Sequence, residues 1–405
     1  MPFVAVHDPF KCLQCGWCSE IVDCPGAGQE FCIGCGACVL ACPNKAIKLI
    51  PTPREKKVLI EVDGNPGWVS EKISLKEALV ELGYKMSILP EEKGIFSPCG
   101  VGGCWSCALD VNGETKRACV TPVEEGMIIK TSLPQSEPLK RLVLDFMGHP
   151  VGGVGTPYQL HHQKSGIFIE AVCLAAGCNF RCPTCYNWSY TYQGKGQPLT
   201  PREAAVNLTA VRKELYLNRM LISGGECTLN RVWLVQFIQE LKELNPDPLS
   251  RFHIQTNGSL LTHSYIDELI EAGLTDIGID LKGLEIDTFM WITGLRDKEL
   301  ARKYKDNAWE AVRYLTDKYP DKVFIGIGIP YNKDLISFKE VEQMGKILYE
   351  INPFLQICVL NYKPDYRSRI IPAAYSEMLA IYRTLKETGL KIVLAWTEEG
   401  KIIGP

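Results

Sequence analysis

The second half of the chain alternates short apolar runs with longer amphipathic stretches. The apolar runs predict strands over 167–172, 220–223, 252–255, 275–281, 323–329, 355–360 and 391–396. The amphipathic stretches predict helices over 232–244, 264–272, 307–318, 339–350 and 374–387. Repeated strand–helix units favour a parallel sheet with right-handed crossovers. We therefore expect an α/β fold in which about six or seven strands form a partial (β/α)6-type barrel, with its sites at the carboxyl ends of the strands.

The first half of the chain has short apolar runs between loops rich in glycine and cysteine. Residues 58–62 predict a strand, and Ser74 with Glu77 forms a capping box that opens a helix ending near Gly83. Asn112-Gly113 predicts a tight hairpin turn. These patterns divide the chain into two small α+β domains, a linker rich in proline and glycine, and the barrel domain, at 1–53, 54–131, 132–166 and 167–405.

Composition narrows the function classes. The chain has 405 residues and a formal net charge of −3, so nucleic acid is not an expected partner. No apolar run approaches the ~20 residues that span a bilayer, and the start of the chain has no signal-peptide pattern. The 18 cysteines are unusual, and their repeated C-x2-C and C-x3-C spacings favour metal sites over disulfides. We expect a cytoplasmic protein of an anaerobic organism, without a membrane partner.

The first domain contains one cysteine pattern twice. Each copy is a C-x2-C-x2-C triplet followed by Cys-Pro, and the two comprise Cys12, Cys15, Cys18 and Cys24, then Cys32, Cys35, Cys38 and Cys42. The repeat resembles bacterial ferredoxins with two [4Fe–4S] clusters, in which each fourth cysteine ligates the other cluster. This implies one cluster on Cys12, Cys15, Cys18 and Cys42 and another on Cys24, Cys32, Cys35 and Cys38. Two zinc sites are the alternative, although zinc modules usually present separated C-x2-C pairs.

The second domain contains Cys99, Cys104 and Cys107, and Cys119 follows the predicted hairpin. The C-x4-C-x2-C…C spacing is that of plant-type [2Fe–2S] ferredoxins. The order of cysteines and strands resembles the short [2Fe–2S] domain of succinate dehydrogenase iron–sulfur subunits and molybdenum hydroxylases. The resemblance implies that the four cysteines ligate one [2Fe–2S] cluster. A cysteine-rich loop without metal is the alternative.

The barrel domain has three cysteines in one loop, Cys178, Cys182 and Cys185, with the spacing C-x3-C-x2-C. Three thiolates can hold three irons of a [4Fe–4S] cluster and leave the fourth iron without a protein ligand. An open metal position can bind a reactant. The spacing resembles the signature of the radical SAM superfamily. The resemblance implies that the open iron binds S-adenosylmethionine (SAM), which one electron from the cluster splits to yield a 5′-deoxyadenosyl radical.

Polar motifs end the next three predicted strands. They are Gly224-Gly225-Glu226, Asn257, and Asp280 with Lys282. These motifs resemble those of the pyruvate formate-lyase activating enzyme and its relatives, including the AmmeMemoRadiSam branch. The resemblance implies that the Gly-Gly-Glu turn binds the SAM amino group. It also implies that Asn257, Asp280 and Lys282 contact the SAM methionyl part and ribose.

The sequence departs from that family pattern at three positions. Cys227 replaces the usual proline after the glutamate, and it is either a small packed residue or a thiol near the radical. Gln255 stands where the activating enzyme has an acidic residue, so the resemblance does not imply a cation site at this position. Thr184 replaces an aromatic residue that touches adenine, so either Tyr186 supplies that face or the adenine pocket is rebuilt.

The combination of motifs implies a radical SAM oxidoreductase that abstracts hydrogen from a protein or metabolite substrate. Two auxiliary [4Fe–4S] clusters and one [2Fe–2S] cluster would relay single electrons to the SAM cluster. Alternatively, one auxiliary cluster touches the substrate. The expected donor is a ferredoxin, a flavodoxin or a reductase. Glycyl-radical installation is one candidate reaction, and the competing function class is a non-catalytic electron-transfer subunit.

Overall fold

The computed structural model describes residues 2–24, 31–161 and 167–404, and it separates into two compact units. The first unit comprises Met1–Val143, Ala175–Asn179 and Asn187–Thr200. The second comprises Leu144–Leu174, Phe180–Tyr186 and Pro201–Pro405. Two short segments of the predicted barrel domain therefore fold with the cysteine-rich half of the chain.

The repeat at the amino terminus is visible in the backbone of the first unit. Strands β1 (Phe3–His7) and β2 (Ile47–Pro51) pair antiparallel around it. Two short helices, Trp17–Glu20 and Ala37–Ala41, each begin after a glycine with φ of 79°. Since a left-handed residue at this point favours glycine, Gly16 and Gly36 allow the same sharp turn after Cys15 and Cys35.

A five-stranded sheet forms the second part of the first unit. Its strand order is β4-β3-β9-β7-β8. Strands β5 and β6 form a separate parallel pair. The strands are β3 (Lys57–Val62), β4 (Asn65–Ser70), β5 (Met86–Ser87), β6 (Ile95–Phe96), β7 (Ala108–Val111), β8 (Glu114–Arg117) and β9 (Ile128–Lys130). Helix Leu75–Glu81 confirms Ser74 as the predicted N-cap, because its hydroxyl accepts a hydrogen bond from the Glu77 amide at 3.2 Å. Asn112 and Gly113 both have positive φ, as the predicted hairpin turn requires.

A nine-stranded sheet with surrounding helices forms the second unit, and the predicted α/β fold is confirmed. The strands follow one another in chain order: β10 (Val143–His149), β11 (Glu170–Ala175), β12 (Arg219–Gly224), β13 (Arg251–Thr256), β14 (Asp276–Asp280), β15 (Phe324–Tyr331), β16 (Gln356–Asn361), β17 (Ile392–Trp396) and β18 (Ile402–Ile403). Neighbours from β12 to β17 are parallel, and β18 is antiparallel to β17. The helices are Tyr158–His161, Pro201–Glu214, Arg231–Leu244, His263–Ala272, Ile286–Thr293, Lys298–Lys318, Phe338–Ile351 and Tyr375–Glu387.

Several boundaries differ from the sequence prediction. The first predicted strand, 167–172, is wrong by three residues, because the strand is Glu170–Ala175. The helix predicted from residue 307 begins at Lys298, where the Asp297 side chain accepts hydrogen bonds from two backbone amides. Helices Pro201–Glu214 and Ile286–Thr293 were not predicted.

The segment interpreted as a linker contributes to the core of the second unit. It contains β10, and its residues near Val154 pack against the sheet. The Val154 amide donates to Gln255 Oε1 at 2.9 Å, and Gln356 Nε2 donates to the Val154 carbonyl at 3.1 Å. A Cβ on Gly326 would collide with that same carbonyl, so the glycine leaves room for the segment. The glycine-rich run is therefore a packed part of the fold.

Buried charges join the amino-terminal ends of four strands in the second unit. Glu170 Oε2 lies 3.1 Å from His253 Nδ1 and 3.6 Å from Arg219 Nε. Asp276 accepts a hydrogen bond from Arg219 at 3.1 Å and one from Arg251 at 3.0 Å. Burial alone would raise the pKa of Glu170, but the facing His253 and Arg219 side chains hold that pKa well below its usual range. At this end of a barrel-type sheet, polar residues commonly serve stability.

Replacing Glu170 with glutamine should destabilise the second unit by about 1–3 kcal/mol, because buried His253 and Arg219 would lose the carboxylate that they share, while Asp276 still pairs with Arg219. The control is Glu243→Gln, which removes an exposed partner of Arg202 and should change little. Anaerobic thermal melts at a fixed heating rate measure both. The wild type should also lose stability as the pH falls below about 4.3, the ordinary pKa of a glutamate, because the pKa of Glu170 is lowered in the folded state and protonation therefore favours unfolding. Glu170→Gln should weaken this pH dependence. Equal melting temperatures for Glu170→Gln and wild type would contradict the assignment.

None of the helices in the described ranges combines the length and apolar character needed to traverse a bilayer.

Candidate metal centres and cofactor site

The first domain brings its eight motif cysteines together as two sets. Site A denotes Cys12, Cys15, Cys18 and Cys42, and site B denotes Cys24, Cys32, Cys35 and Cys38. Burial raises the pKa of the Cys18 thiol, and Cys42 and Cys15 raise it further. Burial also raises the pKa of Cys35 to about 11 and of Cys38 to about 12, and the neighbouring Cys24 and Cys32 raise both further. The structure thus groups the cysteines in the crossed arrangement of the ferredoxin motif.

Sites A and B have features that suit a metal–sulfur group. All four cysteines of site A line one cavity of about 200 Å³. Backbone amides also approach the sulfurs: Ala46 N lies 3.3 Å from Cys42 Sγ, and Ala5 N lies 3.3 Å from Cys32 Sγ. Amides aimed at a sulfur favour its negatively charged form.

The second domain brings four fully buried cysteines into mutual contact. Site C denotes Cys99, Cys104, Cys107 and Cys119. The sulfurs of Cys99 and Cys104 are 3.2 Å apart, and Cys119 forms hydrogen bonds with Cys107 and Cys99. Burial and the neighbouring Cys99 raise the pKa of Cys104 well above its usual value. Four thiols gathered in one buried place fit a metal cluster, which would hold them as thiolates.

The loop with the C-x3-C-x2-C spacing is divided between the two units. Cys178 belongs to the first unit, and Cys182 and Cys185 belong to the second. In the second unit, the Arg181 amide donates to the Thr293 carbonyl at 2.7 Å and the Phe180 ring meets Phe289 edge-on at 5.6 Å. These contacts fix the loop before its second cysteine.

Cys182 lies beside two of the residues singled out in the sequence. Burial raises the pKa of Cys182 to about 12, Cys185 raises it, and the cation of Lys282 lowers it. The Lys282 ammonium donates to Tyr362 at 2.8 Å and lies 3.2 Å from the Asp280 carboxylate. Burial alone would lower the pKa of Lys282, but Asp280, Tyr362 and Cys182 together outweigh burial and raise that pKa well above the ordinary value. A cation held by Asp280 and Tyr362 therefore stands close to Cys182.

Residues 172–343 match the Radical SAM superfamily, residues 55–134 match a 2Fe-2S iron-sulfur cluster binding domain, and residues 28–48 match a 4Fe-4S binding domain. The chain contains a radical SAM domain. It is preceded by two ferredoxin-like iron–sulfur domains, so SAM and both cluster types are the cofactors that its domains bind.

Relatives match the chain over part of its length. A probable GTP 3′,8-cyclase of Archaeoglobus fulgidus is 32% identical over 117 residues, or 29% of this chain and 36% of that protein. An uncharacterized protein of Methanocaldococcus jannaschii is 36% identical over 195 residues, or 47% of this chain and 43% of that protein. Streptococcus suis SuiB, a solved structure, has a TM-score of 0.42 and 18% identity over 55% of this chain and 47% of that chain. The chain thus spans less than half the length of each.

The Gly-Gly-Glu motif of the radical SAM domain connects two strand ends. Gly224 has φ of 116°, a conformation that a side chain would strain. The buried Glu226 carboxylate accepts hydrogen bonds from Thr256 Oγ1 at 2.6 Å and from the Asn257 amide at 2.7 Å. Asn257 Oδ1 in turn accepts from the Ser259 amide at 3.0 Å. Glu226 therefore orders the turn after β13, and Gly225 stands between it and the strand.

The residues at and around the departures from the family pattern have the following protein surroundings. Tyr186 is 71% exposed, with the Lys363 ammonium 5.5 Å from its ring centre. Buried Thr184 has a hydroxyl for which the described residues provide no hydrogen-bond partner. Cys227 is buried and its thiol approaches the Gln255 carbonyl at 3.3 Å, as expected of a packed residue. Gln255 donates to Asp280 at 2.9 Å, so it positions that carboxylate.

Tyr362 is a residue that sequence reasoning missed. Burial raises its pKa to about 12, so it is a neutral partner that accepts from Lys282. Its position directly after β16 was the available signal, because the other polar site residues also follow strands.

Proposed function

We propose that this chain is a radical SAM enzyme that cleaves SAM reductively and abstracts hydrogen from a protein or metabolite. The observation that supports this most is the placement of Lys282 beside Cys182, at the carboxyl ends of the strands. Cys178, Cys182 and Cys185 would hold the SAM cluster, as their spacing requires. When bound, the cluster supplies the electron that splits SAM into methionine and a 5′-deoxyadenosyl radical.

The protein residues bind and orient SAM in this proposal. Lys282 is a point charge suited to the SAM carboxylate, and Asp280 and Tyr362 fix its position. Glu226 holds the Asn257 backbone, so that the turn after β13 presents one fixed shape to the cofactor. The Thr184 hydroxyl, which has no partner among the described residues, offers a polar contact at the position where the family pattern has an aromatic residue, and exposed Tyr186 is the candidate for stacking on adenine.

Sites A, B and C are proposed to hold two auxiliary [4Fe–4S] clusters and one [2Fe–2S] cluster. The grouping of their sulfurs supports this count, and all-cysteine ligation suits electron transfer at low potential. The electron donor is proposed to be a ferredoxin, flavodoxin or reductase.

Two classes of substrate have support. The Asp280 and Lys282 motif supports the activating-enzyme type, whose substrate is a protein that receives a glycyl radical. The partial match to proteins named GTP 3′,8-cyclase supports a purine nucleotide instead.

The decisive experiment incubates the reconstituted protein with SAM and dithionite under anaerobic conditions and measures 5′-deoxyadenosine. We expect formation of 5′-deoxyadenosine without added substrate, and faster formation in parallel reactions that contain the true substrate class, with GTP as the first addition. A protein with its full iron content that forms no 5′-deoxyadenosine would instead be an electron-transfer subunit.

A further inference from the structure

Gly177 lies against the cysteines of site C and directly precedes Cys178. A Cβ at Gly177 would lie 3.0 Å from the Cβ atoms of both Cys99 and Cys104, and 3.1 Å from the Cys104 amide nitrogen. Its φ is 87°, in the left-handed region that favours glycine. The Gly177 Cα is thus within about 4.5 Å of both cysteine side chains, and the Cys178 Cα is about 3.8 Å further along the chain. All of these residues belong to the first unit.

Backbone hydrogen bonds fix this close approach on both sides. The Gly177 amide donates to the Thr191 carbonyl at 3.0 Å. The Ala176 amide donates to the Leu142 carbonyl at 3.0 Å, and the Leu142 amide donates to Gly103 in the site C loop at 3.1 Å. Neither the Gly177 segment nor the cysteine loop can shift without breaking such bonds.

The segment before Cys24 of site B is connected to the site C loop through Arg117. Asp23, which precedes Cys24 of site B, forms an ion pair with Arg117. Arg117 also donates to the Gly102 carbonyl at 3.2 Å, in the loop between Cys99 and Cys104. The site C loop is therefore linked through Arg117 to the residue that precedes Cys24 of site B, while Cys99 and Cys104 of site C lie against the glycine that precedes Cys178.

We propose that Gly177 is a positioning residue that makes site C the last electron donor to the SAM cluster, through the contact between Cys99 or Cys104 and the Gly177–Cys178 backbone. This inference rests on the proposed function. In this step one electron would pass from the cluster held by site C to the cluster held in part by Cys178, so that the first is oxidised and the second reduced by one electron. No bond or proton changes in this step, and the original reductant is dithionite or a reduced one-electron carrier protein.

The test follows electrons stored in the protein. The wild-type holoprotein is reduced with dithionite, the excess is removed by anaerobic gel filtration, and SAM is added. Freeze-quench EPR spectra then follow the reduced [2Fe–2S] signal while 5′-deoxyadenosine is measured in the same samples. We expect the [2Fe–2S] signal to disappear as 5′-deoxyadenosine forms, and before the signals of sites A and B decline.

Two glycine variants distinguish the effect of disturbing the contact at Gly177 from the effect of backbone strain alone. Gly177→Ala should slow the loss of the [2Fe–2S] signal several-fold at unchanged iron content. Gly113→Ala is the matched control, because Gly113 has a similar φ of 83° in the same unit, but a Cβ added there would meet nothing within 4 Å. This control should behave like wild type.

If Gly177→Ala does not assemble its clusters, the order of oxidation in the wild type still decides the proposal. Formation of 5′-deoxyadenosine while the [2Fe–2S] signal persists would overturn the role of site C and leave the proposed function intact. Failure of SAM to alter any EPR signal, with no 5′-deoxyadenosine formed, would instead refute the proposed function and this inference with it.

Discussion

Replacing Cys182 with alanine should abolish 5′-deoxyadenosine formation and remove the iron of one [4Fe–4S] cluster. Two thiolates cannot replace the three that leave a single iron open for SAM. The [2Fe–2S] spectrum should be retained, because site C takes none of its cysteines from this loop. Iron and sulfide analysis, EPR of the reduced protein and product analysis measure the three parts of the prediction.

Cys358→Ala is the control for loss of a buried cysteine. Cys358 lies in β16, with its thiol near the Gln356 side chain, and it belongs to no proposed ligand set. Its removal should leave the iron content and SAM cleavage unchanged. Retention of SAM cleavage by Cys182→Ala would show that the radical arises elsewhere.

Replacing Lys282 with methionine should weaken SAM binding roughly tenfold to a hundredfold, because a hydrogen bond to a charged group contributes about 1.5–3 kcal/mol. It should also destabilise the fold, because Asp280 would keep a largely buried charge without its cation. The affinity can be measured from the change that SAM causes in the EPR spectrum of the reduced cluster.

The double variant Lys282→Met, Asp280→Asn separates these two effects. With both charges removed, stability should largely return, because no unpaired charge stays buried. SAM affinity should remain low, since the cation is still absent. Recovery of affinity together with stability would mean that Lys282 acts only on the fold.

The sequence predicts the repeating strands and helices well where local signals agree with burial. It misplaces the first strand because Ile167 and Phe168 are apolar but 50% and 41% exposed. It misses helix Pro201–Glu214 because few of its residues are large and apolar, although a proline at its first position was a usable signal. The packing of Val154 was not predictable, because its partners Gln255 and Gln356 are distant in sequence.

For the site, the cysteine spacings carry more information than any other pattern. The repeated spacings indicate that these cysteines are metal ligands, and the resemblance to bacterial ferredoxins implies which fourth cysteine belongs to which triplet. By contrast, the roles of Tyr362, Arg117 and Gly177 depend on contacts between remote segments. A glycine before a cysteine gives no local sign that another cysteine loop packs against it.

The division of the chain into interleaved segments also bears on how such a protein can evolve. Residues 175–179 and 187–200 share a fold with the amino-terminal 143 residues, while the stretch that separates them belongs to the other unit. Because the unit that contains the ferredoxin-like domains is built from three separate segments of the chain, recombination at a single junction could not exchange it as a whole. An ancestor that acquired them had to adapt both flanks of the radical loop at the same time, and a homologue that lost them would need new residues to cover those flanks.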